Sequence, residues 1–123
     1  PFMDWRQLPA VIAGLDINLM PLENSLFHWC KSENKWTEAA LVKVPSVMSR
    51  NCEMEYVVEN GKDGWMCTTK EEWVNALEAL VTDEKARKAM GEAAHQKVME
   101  HYLTVNTGKD AMEELLCSES YTK

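Results

Sequence analysis

The chain has 123 residues, of which 46% are hydrophobic and 27% charged, and its net charge is −7. This length fits one compact unit, because two independent domains would each bury too little apolar surface to be stable. The acidic balance excludes a nucleic-acid partner, which needs a basic surface, and disfavours adsorption to an anionic membrane.

The apolar runs are only a few residues long, so no segment predicts a membrane span. The sequence opens at Pro1 without a charged-then-apolar leader, and we expect it to be an excerpt from a longer protein. The cysteines, at positions 30, 52, 67 and 117, lie far apart and form no CxxC pair. This spacing favours reduced thiols in a cytoplasmic protein over a metal site or a disulfide scaffold.

The first part of the chain alternates between helical and strand-like patterns. Residues 8–15 repeat apolar side chains at helical spacing, and segment 16–21 is a short apolar burst that ends in a proline, which predicts a buried strand. Residues 22–31 have no period and are predicted to form a loop. Ser32 is then expected to cap a helix over about residues 33–43, which carries an apolar stripe.

The second part of the chain begins with strands and ends in helices. Segments 46–49 and 64–67 are short apolar runs that predict two further strands. Residues 68–72 offer a capping box in either of two registers, ahead of an amphipathic helix. Asp83 is expected to begin another amphipathic helix, and Asn106 a last one.

This order of elements predicts an α/β fold, in which a parallel three-stranded sheet is flanked by helices and the C-terminal end is helical. Three strands are few for such a sheet, because one edge is left bare. We therefore expect that other parts of the fold are missing from the chain. The exposed sheet edge also predicts pairing with another copy, and hence a homo-oligomer.

The best candidate site combines the loop after segment 16–21 with the start of the predicted helix at Ser32, because ligands of open parallel sheets bind beyond the carboxyl ends of the strands. The amides of a helix N-terminus, with the charges of Lys31 and Lys35, suit a diphosphate. Glu38 lies about 9 Å further along the helix axis, at ~1.5 Å per residue, within reach of a ribose. The alternatives are an ordinary capped helix and a solvated glutamate.

Six segments, taken in this order and spacing, resemble the C-terminal domain of GT-B glycosyltransferases. In detail they are similar to the large retaining group that includes many polysaccharide and lipopolysaccharide sugar transferases. The resemblance runs from Leu8 to about Tyr102, and the segments are residues 16–23, 30–40, 44–47, 57–64, 71–73 and 91–94.

The family's signature is a pair of glutamates separated by seven residues. The resemblance implies that Glu38 contacts the nucleotide ribose, whereas Cys30 stands where the first glutamate would contact the donor sugar. It implies that Lys31, Ser32 and Glu33 contact the diphosphate. No catalytic residue is assigned.

Each of the five tryptophans could offer a flat surface on which a sugar packs. Trp29 is the one expected to face the cleft on the donor-sugar side, beside Cys30. Trp36 and Trp73 lie on apolar helix faces and are expected in the core. Tyr56 stands where the family often has a glutamate, which is a second departure from its pattern.

The resemblance implies two Rossmann-like domains with the active site between them. Residues 1–123 would form a single unit, the C-terminal portion of the nucleotide-sugar-binding domain, without the first half of that domain and without the N-terminal acceptor domain. The whole enzyme would transfer a sugar, as a hexosyltransferase does, from a nucleotide-diphosphate donor to a hydroxyl of a saccharide or glycolipid acceptor. It would need no cofactor and no obligatory metal, and this fragment alone would be inactive.

The resemblance also implies a cytoplasmic protein, held at the inner face of the membrane through parts that this chain lacks. A rival interpretation is a non-catalytic nucleotide-binding or oligomerisation module on the same scaffold, and Cys30 in place of a glutamate is its best support. A response-regulator-like domain is a third interpretation. It requires an acidic cluster at the strand ends with a downstream lysine, which the sequence does not supply.

Overall fold

The computed structural model describes residues 4–23, 25–109 and 112. These residues form one parallel sheet from the strands Asn18–Met20 (β1), Ser46–Ser49 (β2) and Trp65–Cys67 (β3), in the order β1-β2-β3. In its register Leu19 lies opposite Val47, which in turn lies opposite Trp65. The predicted α/β fold with a parallel three-stranded sheet is confirmed.

Helices connect and flank these strands. A 3₁₀ turn, Trp5–Gln7, leads directly into the first α-helix. The α-helices are Leu8–Ala13 (α1), Leu26–Trp29 (α2), Asn34–Leu41 (α3), Cys52–Val57 (α4), Lys70–Thr82 (α5) and Glu84–His101 (α6). Further helical turns cover residues 104–109.

The two long C-terminal helices begin where their capping residues predict. The side chain of Thr69 accepts a hydrogen bond from the amide of Glu72, whose carboxylate accepts one from the Thr69 amide, so the capping box closes in the second of its two registers. At the start of α6, the carboxylate of Asp83 accepts hydrogen bonds from the amides of the first turn. Backbone amides hold the pKa of Glu72 below its usual range.

Two short helices lie where none is predicted. Helix α2 lies inside the predicted loop 22–31, and it begins because the Ser25 hydroxyl accepts a hydrogen bond from the amide of His28. Helix α4 is capped in the same way by Asn51. Elements of four to six residues are too short to show a helical period, so the apolar pattern gives no sign of them.

The prediction that Asn106 begins the last helix is wrong. The helical turns already begin at residue 104, and the side-chain amide of Asn106 donates to the carbonyl oxygens of Met99 (2.9 Å) and Glu100 (3.0 Å). These carbonyls belong to the last turn of α6, where no further helical amide follows to bond them. Asn106 therefore satisfies the end of α6 instead of opening a new helix.

Alternate side chains of the strands pack on opposite sides of the sheet. On one side, Met20, Met48 and Met66 contact a cluster that contains Trp36 of α3 and Val98 of α6. On the other side, the core residues come from the strands and from α5 and α6; they are Val47, Cys67, Ala76, Leu80 and Met90. The predicted arrangement of helices on both faces of the sheet follows from this division.

Strand β1 is less buried than its apolar sequence suggests. It pairs with β2, and within the described residues nothing pairs with its other edge. The side chain of Leu19 is 51% exposed, although Met20 beside it is buried. Among the described helices, none is long and apolar enough to cross a membrane.

Asp63, in the turn before β3, joins three parts of the fold although it is only 2% exposed. One carboxylate oxygen accepts a hydrogen bond from the Glu59 amide (2.8 Å), and the other accepts one from the Lys97 ammonium of α6 (2.7 Å). The carbonyl oxygen of Asp63 accepts a hydrogen bond from the indole Nε1 of Trp36 (2.9 Å). Helices α3 and α6 are thereby fixed to the turn that leads into β3.

Helix α6 approaches the backbone before β2 at Gly91. A Cβ atom at this position would lie far inside van der Waals contact of the carbonyl oxygen of Lys43. Lys43 itself has a left-handed backbone, with φ of 62°, which turns the chain from α3 towards β2. Gly91 lies inside a helix and has no positive φ, so its backbone conformation does not require glycine. Glycine is required because no side chain fits between α6 and the Lys43 carbonyl.

We expect Asp63→Asn to lower the free energy of unfolding by about 2–4 kcal/mol, because it leaves the half-buried Lys97 ammonium without its charge partner while keeping an oxygen for the Glu59 amide. Urea denaturation measures the change. The control Lys62→Gln breaks the exposed ion pair with Glu59 in the same turn and should have little effect. Equal losses in the two variants would contradict the role given to Asp63.

We expect Gly91→Ala to cost about 3 kcal/mol or more, because a backbone carbonyl cannot yield to the new methyl group as a flexible side chain does. The matched control is Gly14→Ala. Gly14 has φ of −82°, and its added Cβ would meet the Val11 carbonyl oxygen at an ordinary 3.4 Å. Thermal unfolding at a common pH compares the two, and a melting temperature for Gly91→Ala close to that of the unchanged chain would refute the packing argument.

Candidate functional site

The carboxyl ends of the strands open into a cavity of about 540 Å³. Its walls come from the residues that follow each strand and from the helices α2, α4 and α5. They are residues 21–23, 28–29, 49–52, 55, 67–68 and 73. The position agrees with the expectation that ligands of a parallel sheet bind beyond the carboxyl ends of its strands.

Two indole rings line this cavity, Trp29 from α2 and Trp73 from α5. Trp29 is exposed, as its predicted place in a cleft requires. Trp73 is half-buried, and it packs against the core while it also lines the cavity. The expectation that Trp73 packs in the core is confirmed, and the residue also lines the cavity because the first turn of α5 lies at the carboxyl ends of the strands, where the core ends.

The loop after β1 is held against β2 by one serine. The Ser49 hydroxyl accepts a hydrogen bond from the amide of Leu22 (2.9 Å) and lies 3.2 Å from the carbonyl oxygen of the same residue, to which it donates. On the next strand, the Arg50 amide donates to the carbonyl oxygen of Cys67. These bonds fix the relative positions of the three loops that surround the cavity.

Polar groups of α4 and of the two residues before it form one side of the cavity. The Arg50 guanidinium and the Glu55 carboxylate are 3.0 Å apart and are both partly exposed. Asn51 is only 7% exposed; its Oδ1 accepts a hydrogen bond from the Met54 amide (2.8 Å). Its Nδ2 is buried and has no hydrogen-bond partner among the described residues. A buried amide donor without a partner costs about 1–3 kcal/mol.

The charged groups that line the cavity are Glu23, Arg50 and Glu55. Two carboxylates and one guanidinium leave a net charge of −1 when His28 is neutral. Burial raises the pKa of the Cys67 thiol above its usual range, and the nearby charge of Glu72 adds to this effect. Cys67 is therefore a neutral thiol at physiological pH. The cavity is weakly acidic and lined with aromatic groups.

Of the predicted site residues, Trp29 contributes to the cavity, and the others lie outside its described lining. Cys30 is exposed and ends α2. Lys31 is exposed, and its ammonium lies 4.7 Å from the ring centroid of Phe27, in a cation–π contact. Both residues thus lie on the short connection between the cavity and α3.

The prediction that Ser32 caps the following helix is wrong. Glu33 is the N-cap residue of α3, and in the described structure no side chain accepts a hydrogen bond at that cap. Ser32 is exposed in the turn before it. Burial, and after it the charge of Glu33, raises the pKa of Tyr102, the residue that follows α6. The first amides of α3 consequently keep their donors for another acceptor.

Glu38 lies on the exposed side of α3, next to the fully buried Ala39 and Ala40. Its carboxylate is open to solvent, as a contact with a ribose requires. The residues that sequence reasoning missed are Arg50, Asn51, Glu55 and Trp73. A signal existed for Arg50 and Asn51, because they directly follow a predicted strand on the edge where ligands bind.

The described residues contain no group of three or more His, Cys, Asp or Glu side chains placed to hold a metal ion. The polar groups at the carboxyl ends of the strands are donors and acceptors suited to hydrogen bonding.

The sequence matches the model of a family described as glycosyl transferase-like, over residues 2–114. No curated protein matches it in sequence. Among solved structures, it is similar to the C-terminal domain of a glycosyl transferase group 1 family protein, LpcC, from Francisella tularensis. The two share 18% identity with a TM-score of 0.62, over 83% of this chain and 51% of the other. This chain thus spans about half the length of that structure, and the likeness supports a Rossmann-like fold.

We expect iodoacetamide to modify Cys30 and Cys52 much faster than Cys67 in the folded chain, because the first two are exposed and Cys67 is both buried and held as a neutral thiol. Peptide mass spectrometry over a time course at pH 8 measures each rate. In urea the three rates should converge. Fast modification of Cys67 without denaturant would contradict the described cavity wall.

Proposed function

The chain belongs to the glycosyl transferase-like family, and on that premise we propose that it is the C-terminal portion of the donor-binding domain of a glycosyltransferase. The enzyme is of the GT-B type and retaining, and it transfers a hexose from a nucleotide-diphosphate sugar to a hydroxyl of a saccharide or glycolipid. Its products are polysaccharides or glycoconjugates. Neither a cofactor nor an obligatory metal is part of this proposal.

The start of α3 is the observation that carries the proposal. Its N-cap, Glu33, makes no side-chain cap bond in the described structure, so the first amides can donate to a phosphate together with the Ser32 hydroxyl and the Lys31 ammonium. By contrast, α4, α5 and α6 are each capped by a side chain. Donors aimed at the leaving diphosphate would lower the barrier to transfer, because charge develops there as the bond to the sugar breaks.

The solvent-facing carboxylate of Glu38 supports the second contact, with the ribose of the nucleoside. Its acceptor oxygens can take the hydrogen bonds of both ribose hydroxyls, as an acidic residue does in dinucleotide-binding folds. Cys30 does not offer the corresponding carboxylate to the donor sugar, and a thiol is a weak acceptor. Recognition of the sugar must then use other groups, and no catalytic residue is assigned.

The edge of β1 that no described strand covers supports the proposal that this chain is only part of a domain. In the LpcC structure the matching region is about half of a C-terminal domain, and the remaining half would complete the sheet. The acceptor would bind to a further N-terminal domain. We place the whole enzyme in the cytoplasm, at the inner face of the membrane through those other parts.

A second candidate function is a non-catalytic nucleotide-binding or oligomerisation module, which Cys30 and the free β1 edge favour. In that case two copies would pair at β1. Light scattering distinguishes the candidates in part, since a strictly monomeric chain at high concentration would argue against pairing at this edge.

We expect Lys31→Ala, Ser32→Ala and Glu38→Gln each to weaken the binding of UDP or GDP about 10- to 100-fold in the longer protein. The first two variants remove a hydrogen bond to the charged diphosphate, and the third removes the charge that accepts hydrogen bonds from the two ribose hydroxyls. Isothermal titration measures the affinities. The matched controls, Lys85→Ala on α6 and Glu78→Gln on α5, change the same charges at exposed positions away from the α3 start and should bind as the unchanged protein does.

Unchanged affinity in all three variants would refute the assigned diphosphate and ribose contacts. The isolated chain should bind these nucleotides weakly and transfer no sugar. Measurable transfer by the 123 residues alone would refute the proposal that the chain is an incomplete enzyme.

A further inference from the structure

We propose that Trp36 and His95 are positioning residues for Glu38. Each of them makes a polar contact that fixes a different part of α3, and Glu38 lies between the two contacts on the same helix. The inference rests on the proposed function for the ligand, which is the ribose of a nucleotide. It adds the residues that hold the Glu38 carboxylate in place for that ligand.

The first contact lies on the buried face of α3. Trp36 is 0% exposed, and its indole Nε1 donates to the carbonyl oxygen of Asp63 at 2.9 Å. The ring also packs edge-to-face against Tyr102, with the two ring centroids 5.9 Å apart. A fully buried ring that also makes a directed hydrogen bond cannot turn within the core. The helix that carries Trp36 is therefore fixed in rotation about its own axis.

The second contact lies near the last turn of α3. The Nδ1 atom of His95, on α6, is 3.1 Å from the carbonyl oxygen of Ala40. Because a carbonyl oxygen only accepts hydrogen bonds, Nδ1 carries the proton and donates it. Ala40 is fully buried, and the His95 ring is half-buried above it. This bond joins the C-terminal part of α3 to the helix that packs along it.

Both contacts lead back to α6. The carboxylate of Asp63 accepts a hydrogen bond from the Lys97 ammonium at 2.7 Å, and Lys97 is two positions after His95 on α6. Helix α6 therefore holds α3 directly through His95, and indirectly through Asp63 and Trp36. A helix of eight residues that is held near both ends cannot tilt or slide relative to its neighbour.

Glu38 depends on this support because it is exposed. It lies two positions after Trp36 and two before Ala40, and few neighbours restrict the rotamer of an exposed side chain. Its place is set mainly by the backbone of α3. A binding group must be held within about 0.5 Å of its productive geometry by the packing and hydrogen bonds around it. The contacts of Trp36 and His95 supply that support for the carboxylate.

The preference for ribose over 2′-deoxyribose reports the position of Glu38. In the longer protein, we expect UDP or GDP to bind about tenfold more tightly than its 2′-deoxy form, because the deoxy form lacks one of the two hydroxyls that bond the carboxylate. Isothermal titration measures both dissociation constants. Their ratio cancels any change that is common to the two nucleotides, so a loss of stability alone leaves the ratio unchanged.

We expect Trp36→Phe and His95→Leu each to lower this ratio to about threefold, because each variant removes a donor that fixes α3. His95→Asn keeps an N–H donor near the place of Nδ1 and should restore the ratio. His101→Leu, exposed at the end of α6, is the matched control and should leave the ratio unchanged. Leu80→Ala, buried on the other side of the sheet, should lower the melting temperature and also leave the ratio unchanged.

Combination with Glu38→Gln tests whether the two residues act through Glu38. In that background, neither Trp36→Phe nor His95→Leu should weaken UDP or GDP further, because the carboxylate that they position is absent. Additive losses of affinity would contradict the inference. The His95→Leu measurement stands without Trp36→Phe, since the His95 ring is only half-buried and its loss opens no large cavity.

The same ratios separate this inference from the proposed function. A full ratio in both Trp36→Phe and His95→Leu, together with a lowered ratio in Glu38→Gln, would overturn the inference and leave the ribose contact intact. A variant that keeps the full ratio on its own removes that residue from the assignment. Equal binding of the two nucleotides by the unchanged protein would refute the ribose contact itself, and the positioning roles with it.

Discussion

Asp63 is the residue that fixes α3 and α6 to the turn before β3. It is buried, yet it bonds the Glu59 amide, the Lys97 ammonium and the Trp36 indole, so one residue ties the turn before β3 to α3 and α6. A buried ion pair contributes little net stability, because the loss of hydration offsets the attraction of the charges. The effect of the Asp63–Lys97 pair is to fix the position of α6 relative to the turn before β3.

The carboxyl ends of the strands carry two chemically different regions. One is the start of α3, where amides without a side-chain cap lie beside Lys31 on an otherwise acidic chain. The other is the cavity, which has indole walls and a slight negative charge. A nucleotide-diphosphate sugar has the same division, with an anionic middle and a neutral ring. The proposed function assigns the anionic middle of such a donor to the start of α3.

The sequence was informative wherever a local signal specified the structure. Strands β2 and β3 were predicted from apolar runs, and α5 and α6 from the capping residues Thr69 and Asp83. Helices α2 and α4 were missed, because they are shorter than the two helical turns in which a period becomes visible. The cavity was predicted only in part. Its place beyond the carboxyl ends of the strands and its wall at Trp29 were expected, whereas Glu55 and Trp73 come from helices that meet the strand ends only after the sheet has formed, and no spacing along the chain records that meeting.

The side of β1 that is unpaired within the described part of the chain has a consequence for association with another strand. An edge strand presents a row of amides and carbonyls that a further strand can bond, and main-chain bonding of this kind does not require a covalent link between the two strands. The half-exposed Leu19 adds an apolar contact for the same neighbour. The strand that pairs at this edge could therefore be supplied by a separate chain as well as by the same one.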